Sequence, residues 1–308
     1  MRNFNRVCLL AFLAGCLLGC EEYIDPPFEI EESRLIISSN FAPDEKVSVR
    51  VTASEPVAGM ARSGEITNAS ISIYEGEDLV ETLAYRAGEE GRPGLYCTNV
   101  FEPEVGIPYS IKVSAPGFTP VTASSSIPMA TVITRLEVSD LEVSRSASNH
   151  HIYNFGLLVD YVDPEFENFY DLRIRQQVHP YYVSSGTQDT VFLDPVYKTV
   201  ESLTSKTEEN TQRGESSYLI ADRPEGGIDI QLISKVNPRT EILGDLVVEL
   251  RTVSRDYYNF QVAIQQEQRI YNMYFERAVN SSAFSNVGGG YGIFAGYSTV
   301  TRVFPLVD

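Results

Sequence analysis

The chain has 308 residues, with 42 acids against 24 bases and a net charge of −18. Its 43% hydrophobic content, 21 Gly and 16 Pro exclude a collagen-like or low-complexity chain and permit a buried core. So acidic a balance argues against a nucleic-acid-binding surface, because phosphate contacts need clustered Lys and Arg. At roughly 100–200 residues per domain the length suggests about two domains. No apolar run reaches the roughly 18 residues of a membrane-spanning helix.

The N-terminus carries Arg2 and Arg6 with no acid, then an apolar stretch from Val7 to Leu18, then Gly19-Cys20. A basic start, a short apolar region and a small residue at the cleavage point describe a secretory leader over 1–19. The ending Leu17-Leu18-Gly19-Cys20 resembles a bacterial lipoprotein signal, which makes Cys20 the lipidated first residue of the mature chain. Leu13-Ala14-Gly15-Cys16 resembles the same box and fits it better, but cleavage there leaves Leu17-Leu18 on the mature end, whereas Glu21-Glu22 follow Cys20 directly. Removing 1–19 takes away two bases and no acid, so the mature charge is −20. Each buried methylene adds about 0.8 kcal/mol of membrane affinity, and the several acyl chains implied by the resemblance make a lasting anchor.

Residues 20–33 form an acidic tether holding Glu21, Glu22, Asp25, Glu29, Glu31, Glu32 and the pair Pro26-Pro27. It reads equally as a solvated spacer and as acids that resemble the export signal of surface lipoproteins. From 34 to 128 the pattern has period two. Val47, Val49 and Val51 alternate with polar residues, as do Ala69, Ile71 and Ile73, and Tyr109, Ile111 and Val113. Strict alternation places one face on a core and the other in water. A hairpin-length loop at 75–78 and the turn Ala115-Pro116-Gly117-Phe118 agree. About seven strands over this length predict an immunoglobulin-like sandwich.

Ser124 to Pro128 is the expected boundary to a larger β-rich domain over 129–308. Its strands are predicted at 131–143, 152–162, 169–178, 190–200, 217–221, 228–234 and 245–253, with a polar loop over 202–215. One long helix is predicted near 255–278. Tyr257, Phe260, Ile264, Tyr271, Tyr274 and Ala278 recur at three- and four-residue steps, with Gln265, Gln266, Gln268 and Arg269 mainly elsewhere. Ser254 caps its start and Asp256 suits its first turn. The fold class is therefore mainly β.

Cysteine usage adds little chemistry. Cys8 and Cys16 leave with the leader and Cys20 is acylated, so Cys97 alone remains; one thiol makes neither an intramolecular disulfide nor a multi-thiolate zinc site. Cys97 is expected as a small buried hydrophobe on a strand. His150, His151, Asp163, Glu165, Glu167 and His179 could be drawn together around a metal, but adjacent His on a strand point to opposite faces and no H-E-x-x-H is present. The literal G-x-G-x-x-A at 290–295 precedes a strand rather than a helix, which removes the dinucleotide reading. No G-x-S-x-G elbow is present. The expectation is no catalytic residue, no metal and no cofactor.

The richest segment is C-terminal: Phe284-Ser285-Asn286-Val287-Gly288-Gly289-Gly290-Tyr291-Gly292-Ile293-Phe294-Ala295-Gly296-Tyr297. Asn286, Gly288, Gly289, Gly290, Tyr291, Gly292, Phe294 and Tyr297 are the candidate residues for either a partner contact or an internal packing element. With Cys20-Glu21-Glu22-Tyr23-Ile24-Asp25-Pro26 and Arg34-Leu35-Ile36-Ile37-Ser38, the segment resembles a Bacteroidota outer-membrane lipoprotein family whose domain is of unknown function. Members of that family often have Leu where Tyr291 stands and Gly where Ala295 stands. The resemblance implies a partner resembling SusC, a TonB-dependent transporter, and carries over no catalytic residue.

The expected function is a non-enzymatic, surface-exposed lipoprotein of the outer membrane, an accessory or ligand-binding partner in nutrient uptake with an unidentified ligand. The alternative is a structural adhesin or surface-assembly component, which an exposed, unpaired long edge strand would favour. A hydrolase using carboxylates among Asp163–Glu167 ranks behind both, and would need two of them about 5–10 Å apart across a deep cleft.

Overall fold

The computed structural model describes residues 32–54, 64–89, 92–202, 211–213, 217–222, 226–274 and 284–306. The expected leader over 1–19, Cys20 and the expected tether up to residue 31 lie outside the described residues, as do most of the expected polar loop at 202–215 and the helix end expected near 278. The described chain is mainly β with one helix, as the alternation predicts.

Eight strands build the first module: β1 (Leu35–Phe41), β2 (Ser48–Ala53), β3 (Ser70–Glu75), β4 (Asp78–Thr82), β5 (Ala84–Arg86), β6 (Leu95–Cys97), β7 (Pro108–Ser114) and β8 (Val121–Ser126). They form a β4-β3-β7-β8 sheet and a β1-β2-β6-β5 array. The inward residues of both layers, among them Ile37, Val49, Val51, Ile71, Ile73, Ile111 and Val113, share one buried cluster. Fully burying such a side chain stabilises by about 1.5–3 kcal/mol, which is why the period-two pattern fixes which face turns inward. In the turn after β7, Phe118 donates its N–H to the Ala115 carbonyl at 3.2 Å and Gly117 sits at φ +83°, the type II geometry expected there.

The second module holds β9 (Ile133–Arg145), β10 (His151–Tyr161), β11 (Phe169–Val183), β12 (Thr190–Phe192), β13 (Val196–Thr199), β14 (Glu201–Ser202), β15 (Thr211–Arg213), β16 (Tyr218–Ile220), β17 (Ile228–Val236), β18 (Glu241–Val253), helix α1 (Arg255–Tyr274) and β19 (Tyr291–Pro305). A β14-β17-β10-β9 sheet lies against β11, β18 and β19. Phe155, Leu157 and Val159 from one layer meet Leu172, Ile174, Leu246, Val248 and Leu250 from the other. The single strand expected at 190–200 is two, β12 and β13, broken at Leu193-Asp194-Pro195, where Pro195 has no N–H for a ladder. Both still pair with β11.

The boundary expected at 124–128 is itself structured. Ser124–Ser126 close β8, and Ile127 is fully buried and bridges Val105. The division is also crossed by β19. Its first half runs parallel to β1, from Ile36↔Tyr291 to Phe41↔Gly296, and its second half runs antiparallel to β18, from Val253↔Tyr297 to Asp245↔Pro305. Val287 and Phe294 consequently belong to the first module's core, although the sequence division assigns 129–308 to the second. One strand makes the two arrays a single eleven-stranded sheet.

Candidate functional site

On β11 and β18 every second residue faces away from the second core. This outward set is Asp171, Arg173 and Arg175 beside Glu249 and Arg251, and the register places Asp171 opposite Arg251 and Arg173 opposite Glu249. Opposite charges across neighbouring strands attract, so the register itself assembles a network. Arg173 Nε donates to Asp171 Oδ2 at 2.9 Å, and Arg175 Nη2 donates to Glu249 Oε2 at 2.8 Å. Arg251 Nε reaches Glu249 Oε1 at 2.5 Å. Helix α1 covers one end of this ladder. Ser254 Oγ accepts the Tyr257 N–H at 3.3 Å, the expected N-cap, and the capped first turn presses Tyr257 onto the sheet. There the Tyr257 hydroxyl donates to Asp171 Oδ2 at 2.8 Å and accepts from Arg173 Nη2 at 2.9 Å.

Burial, then Asp171, pushes the Tyr257 phenol well above its ordinary value. Burial opposes the Arg173 charge, but Asp171, Tyr257 and Glu249 outweigh it and its pKa is raised. Burial and Arg173 likewise oppose the Arg251 charge, and Glu249 and Tyr257 outweigh them. Arg251 also lies 4.4 Å from the centre of the Tyr297 ring, itself 6.1 Å from Tyr257. Such a cluster holds charge in place beneath a helix. It presents no nucleophile paired with a base. The alternation of these residues was legible in the sequence as a water-facing side; their pairing was not, because it depends on register between strands about 80 residues apart. Gln265, expected on the polar side of α1, is buried, since it stands two turns from Tyr258, which packs on Phe169 at 4.8 Å.

The glycine-rich segment is packed against β1 and β8. A Cβ at Gly290, Gly292 or Gly296 would come within 3.0 Å of the backbone carbonyl oxygens of Leu35, Ile37 and Ser126 respectively. Alternate glycines thus let three backbones converge. Asn286 staples the arrangement: its Oδ1 accepts the Phe294 N–H at 3.0 Å and its Nδ2 donates to the Phe294 carbonyl at 2.8 Å and to Asp256 Oδ2 at 3.0 Å. Phe294 is fully buried and stacked on Phe41 at 4.5 Å. Gly288 bridges Thr122, and Gly289, next in the chain, sits at φ +82°. Tyr291 and Tyr297 are half-buried, under the guanidinium groups of Arg34 and Arg251.

The remaining candidates are dispersed. Asp163 accepts the Tyr170 hydroxyl at 2.5 Å, and burial followed by this contact pushes the Tyr170 phenol up. Glu167 pairs with Arg255, and Glu165 is exposed. His150 Nδ1 meets Ser148 Oγ at 2.9 Å, His151 meets Arg145 at 3.3 Å, and His179 stands opposite Ile242 on β11. Among the described residues no three His, Cys, Asp or Glu side chains gather as a metal site. Cys97 is on β6 as expected but half-buried rather than buried. A cleft of about 500 Å³ is lined by His150, Lys198, Glu201 and Lys235 among others. Both its lysines are already ion-paired, Lys198 with Glu241 at 2.6 Å and Lys235 with Glu201 at 2.8 Å.

Comparison with known proteins adds three findings. No curated protein matches the chain. One similar solved structure is the three N-terminal domains of the bacteriophage RB49 Highly Immunogenic Outer Capsid protein (Hoc), 15% identical over 73% of this chain and 64% of that one, so the match spans less than two thirds of it. Its TM-score of 0.21 is too low to establish a common fold. The family model described as Domain of unknown function (DUF4249) matches residues 21–302, nearly the whole length, and the chain belongs to that family.

Proposed function

We propose that this chain is a lipid-anchored protein of the outer membrane, displayed at the cell surface, that serves without catalysis as an accessory or ligand-binding partner of a SusC-like TonB-dependent nutrient transporter. The observation that carries the reading is the N-terminus, a basic and apolar leader ending at Cys20 and followed by an acidic tether, on a chain of this family. The engagement of Asp163, Glu167, Asp171 and Glu249 with phenol or guanidinium partners supports a binding role over a hydrolytic one. Metabolic labelling with a radioactive fatty acid tests the anchor. Label is lost in Cys20→Ala and kept in Cys16→Ala; the reverse pattern overturns the assignment. Protease added to intact cells then separates outward from inward display, and purification in mild detergent reports whether a TonB-dependent transporter accompanies the wild-type protein.

A surface-assembly role has one observation in its favour. β9 is a 13-residue strand at the edge of its sheet, and its other edge pairs with no strand among the described residues. Such an edge templates strand addition. The same strand carries devices that oppose it: a bulge at Asp140, with φ +51°, and the charges of Arg135, Glu137, Glu142 and Arg145. Self-association that rises with concentration and vanishes when β9 is interrupted by Val143→Pro would favour assembly.

A further inference from the structure

The outward face that carries the charged network continues past the helix, where Val247 is buried but several neighbouring side chains are exposed. Cross-strand register assigns its members. Val303 stands opposite Val247, which stands opposite Arg175; Tyr197 stands opposite Gln177, Ile242 opposite His179 and Phe192 opposite Tyr181. All share the face of Arg173 and Arg175, because alternate residues of β11 point the same way. Val303 is 61% exposed, Phe192 60%, Tyr197 52% and Ile242 48%. Large apolar side chains exposed on one sheet face beside guanidinium groups suit an interaction surface.

The charges of this face identify what fits it. Arg175 and Arg173 have side chains 45% and 31% exposed, whereas their partners Glu249 and Asp171 are 8% and 0% exposed. The carboxylates therefore lie underneath and the guanidinium edges meet solvent, with Asp245 the partly exposed acid beside them. Arg175 also stacks over the Tyr197 ring at 5.5 Å. On a chain of net charge −18, this is a local surface of guanidinium and aromatic groups. Arg and Tyr are the residue types that carry most of the energy at protein–protein contacts, through stacking and bidentate bonds to carboxylates. A second copy fits poorly, because it would bring the same guanidinium-bearing face and the same −18 charge to the contact, and a surface of anionic lipid would meet the repulsion of the whole acidic chain.

We propose that this open face, centred on Arg175, Tyr197, Phe192 and Val303, docks a protein partner presenting carboxylates beside apolar side chains. The inference extends the proposed function by locating the contact, and rests on that reading only for identifying the partner as the transporter.

The test places the photo-crosslinking residue benzoylphenylalanine at Tyr197 or Val303 of the full lipidated protein in native membranes. A control carries it at Val100, which is 81% exposed in the first module. Mass spectrometry then maps the captured peptide. The expected result is capture of one protein from positions 197 and 303 but not from 100, through a peptide of net negative charge. A Phe192→Asp/Tyr197→Ser variant should lower recovery of that protein at least tenfold with an unchanged melting temperature. If the captured protein is not the transporter but its peptide is acidic, the docking face stands and the transporter reading falls. If the transporter co-purifies equally with wild type and the variant, the association stands and the docking face is overturned. Capture of a second copy, of lipid, of a basic peptide or of nothing also overturns it.

Discussion

Replacing Gly292 by Ala probes the junction on which both modules depend. Gly292 sits at φ +105° in the parallel pair of β1 and β19, opposite Ile37. An L side chain held at such a φ stores about 1–3 kcal/mol of backbone strain. Its Cβ would also fall within 3.0 Å of the Ile37 carbonyl oxygen, which is backbone and has no rotamer by which to yield. Clearing it requires roughly 1 Å of separation beyond the ~4.8 Å strand spacing. Losing about two ladder hydrogen bonds in this way costs about 1 kcal/mol each. The expected destabilisation is therefore about 3–5 kcal/mol, or roughly a 10 °C fall in melting temperature at about 2–4 °C per kcal/mol. Gly289→Ala is the internal control: φ is +82°, but the nearest obstruction, the Pro120 carbonyl oxygen, stands at 3.3 Å. That variant should show the strain alone, about 1–3 kcal/mol. Urea unfolding of the chain from Glu21 onward measures both. Equal losses for the two variants would refute the close approach of β19 to β1.

The network under α1 and the ion pairs near β18 give two further expectations. Asp171→Asn leaves the Arg173 guanidinium facing a neutral group and should cost about 3–5 kcal/mol, and Tyr257→Phe should cost about 1–3 kcal/mol. A double-mutant cycle in urea should return a coupling of at least about 1 kcal/mol, and additivity would mean the contact carries no energy. Glu241 sets a pH dependence. Burial works against its charge, but Lys198, the Asn237 N–H and His150 more than offset that, so its folded pKa lies below the ordinary 4.5. A carboxyl depressed on folding contributes stability that is present above 4.5 and is lost as pH falls through the folded value. Between pH 6 and pH 3 the wild type should therefore lose more melting temperature than Glu241→Gln, and parallel curves would dismiss the assignment.

Elements with one buried face were readable because alternation records burial directly. Val49 and Val51, Ile71 and Ile73, Leu172 and Ile174, and Leu246, Val248 and Leu250 all turn inward as their spacing predicts. Helix α1 announced itself by Ser254 and a three-and-four stripe, of which Tyr257 is buried and the outer part, Tyr271, Tyr274 and Ala278, lies outside the described side chains. The double service of β19 was not readable, since parallel pairing leaves no local signal in either strand. Its trace was the alternate spacing of Gly290, Gly292 and, further on, Gly296, which marks a strand whose face meets backbone. The charge network was half readable: the sequence gives the alternation, and only the register shows that Arg173 faces Glu249.

The placement of β19 ties the stability of the first module to a strand far along the chain. Ile36 and Tyr291 pair although they are 255 residues apart. Closing that loop is thermodynamically mild: loop entropy grows by about 0.6 kcal/mol per doubling, so 255 residues cost only about 2 kcal/mol more than a loop of roughly 30. Burying Phe294 and Val287 in the first core offsets this, at about 1.5–3 kcal/mol for each fully buried side chain. The kinetic consequence is larger, because pairing at such separation slows folding and leaves the β1 edge and the Phe41 ring open until residues 291–296 arrive. The first module therefore cannot finish as an independent unit, despite having eight strands of its own. Damage to β9 reaches only the second core, whereas damage to β19 loosens both.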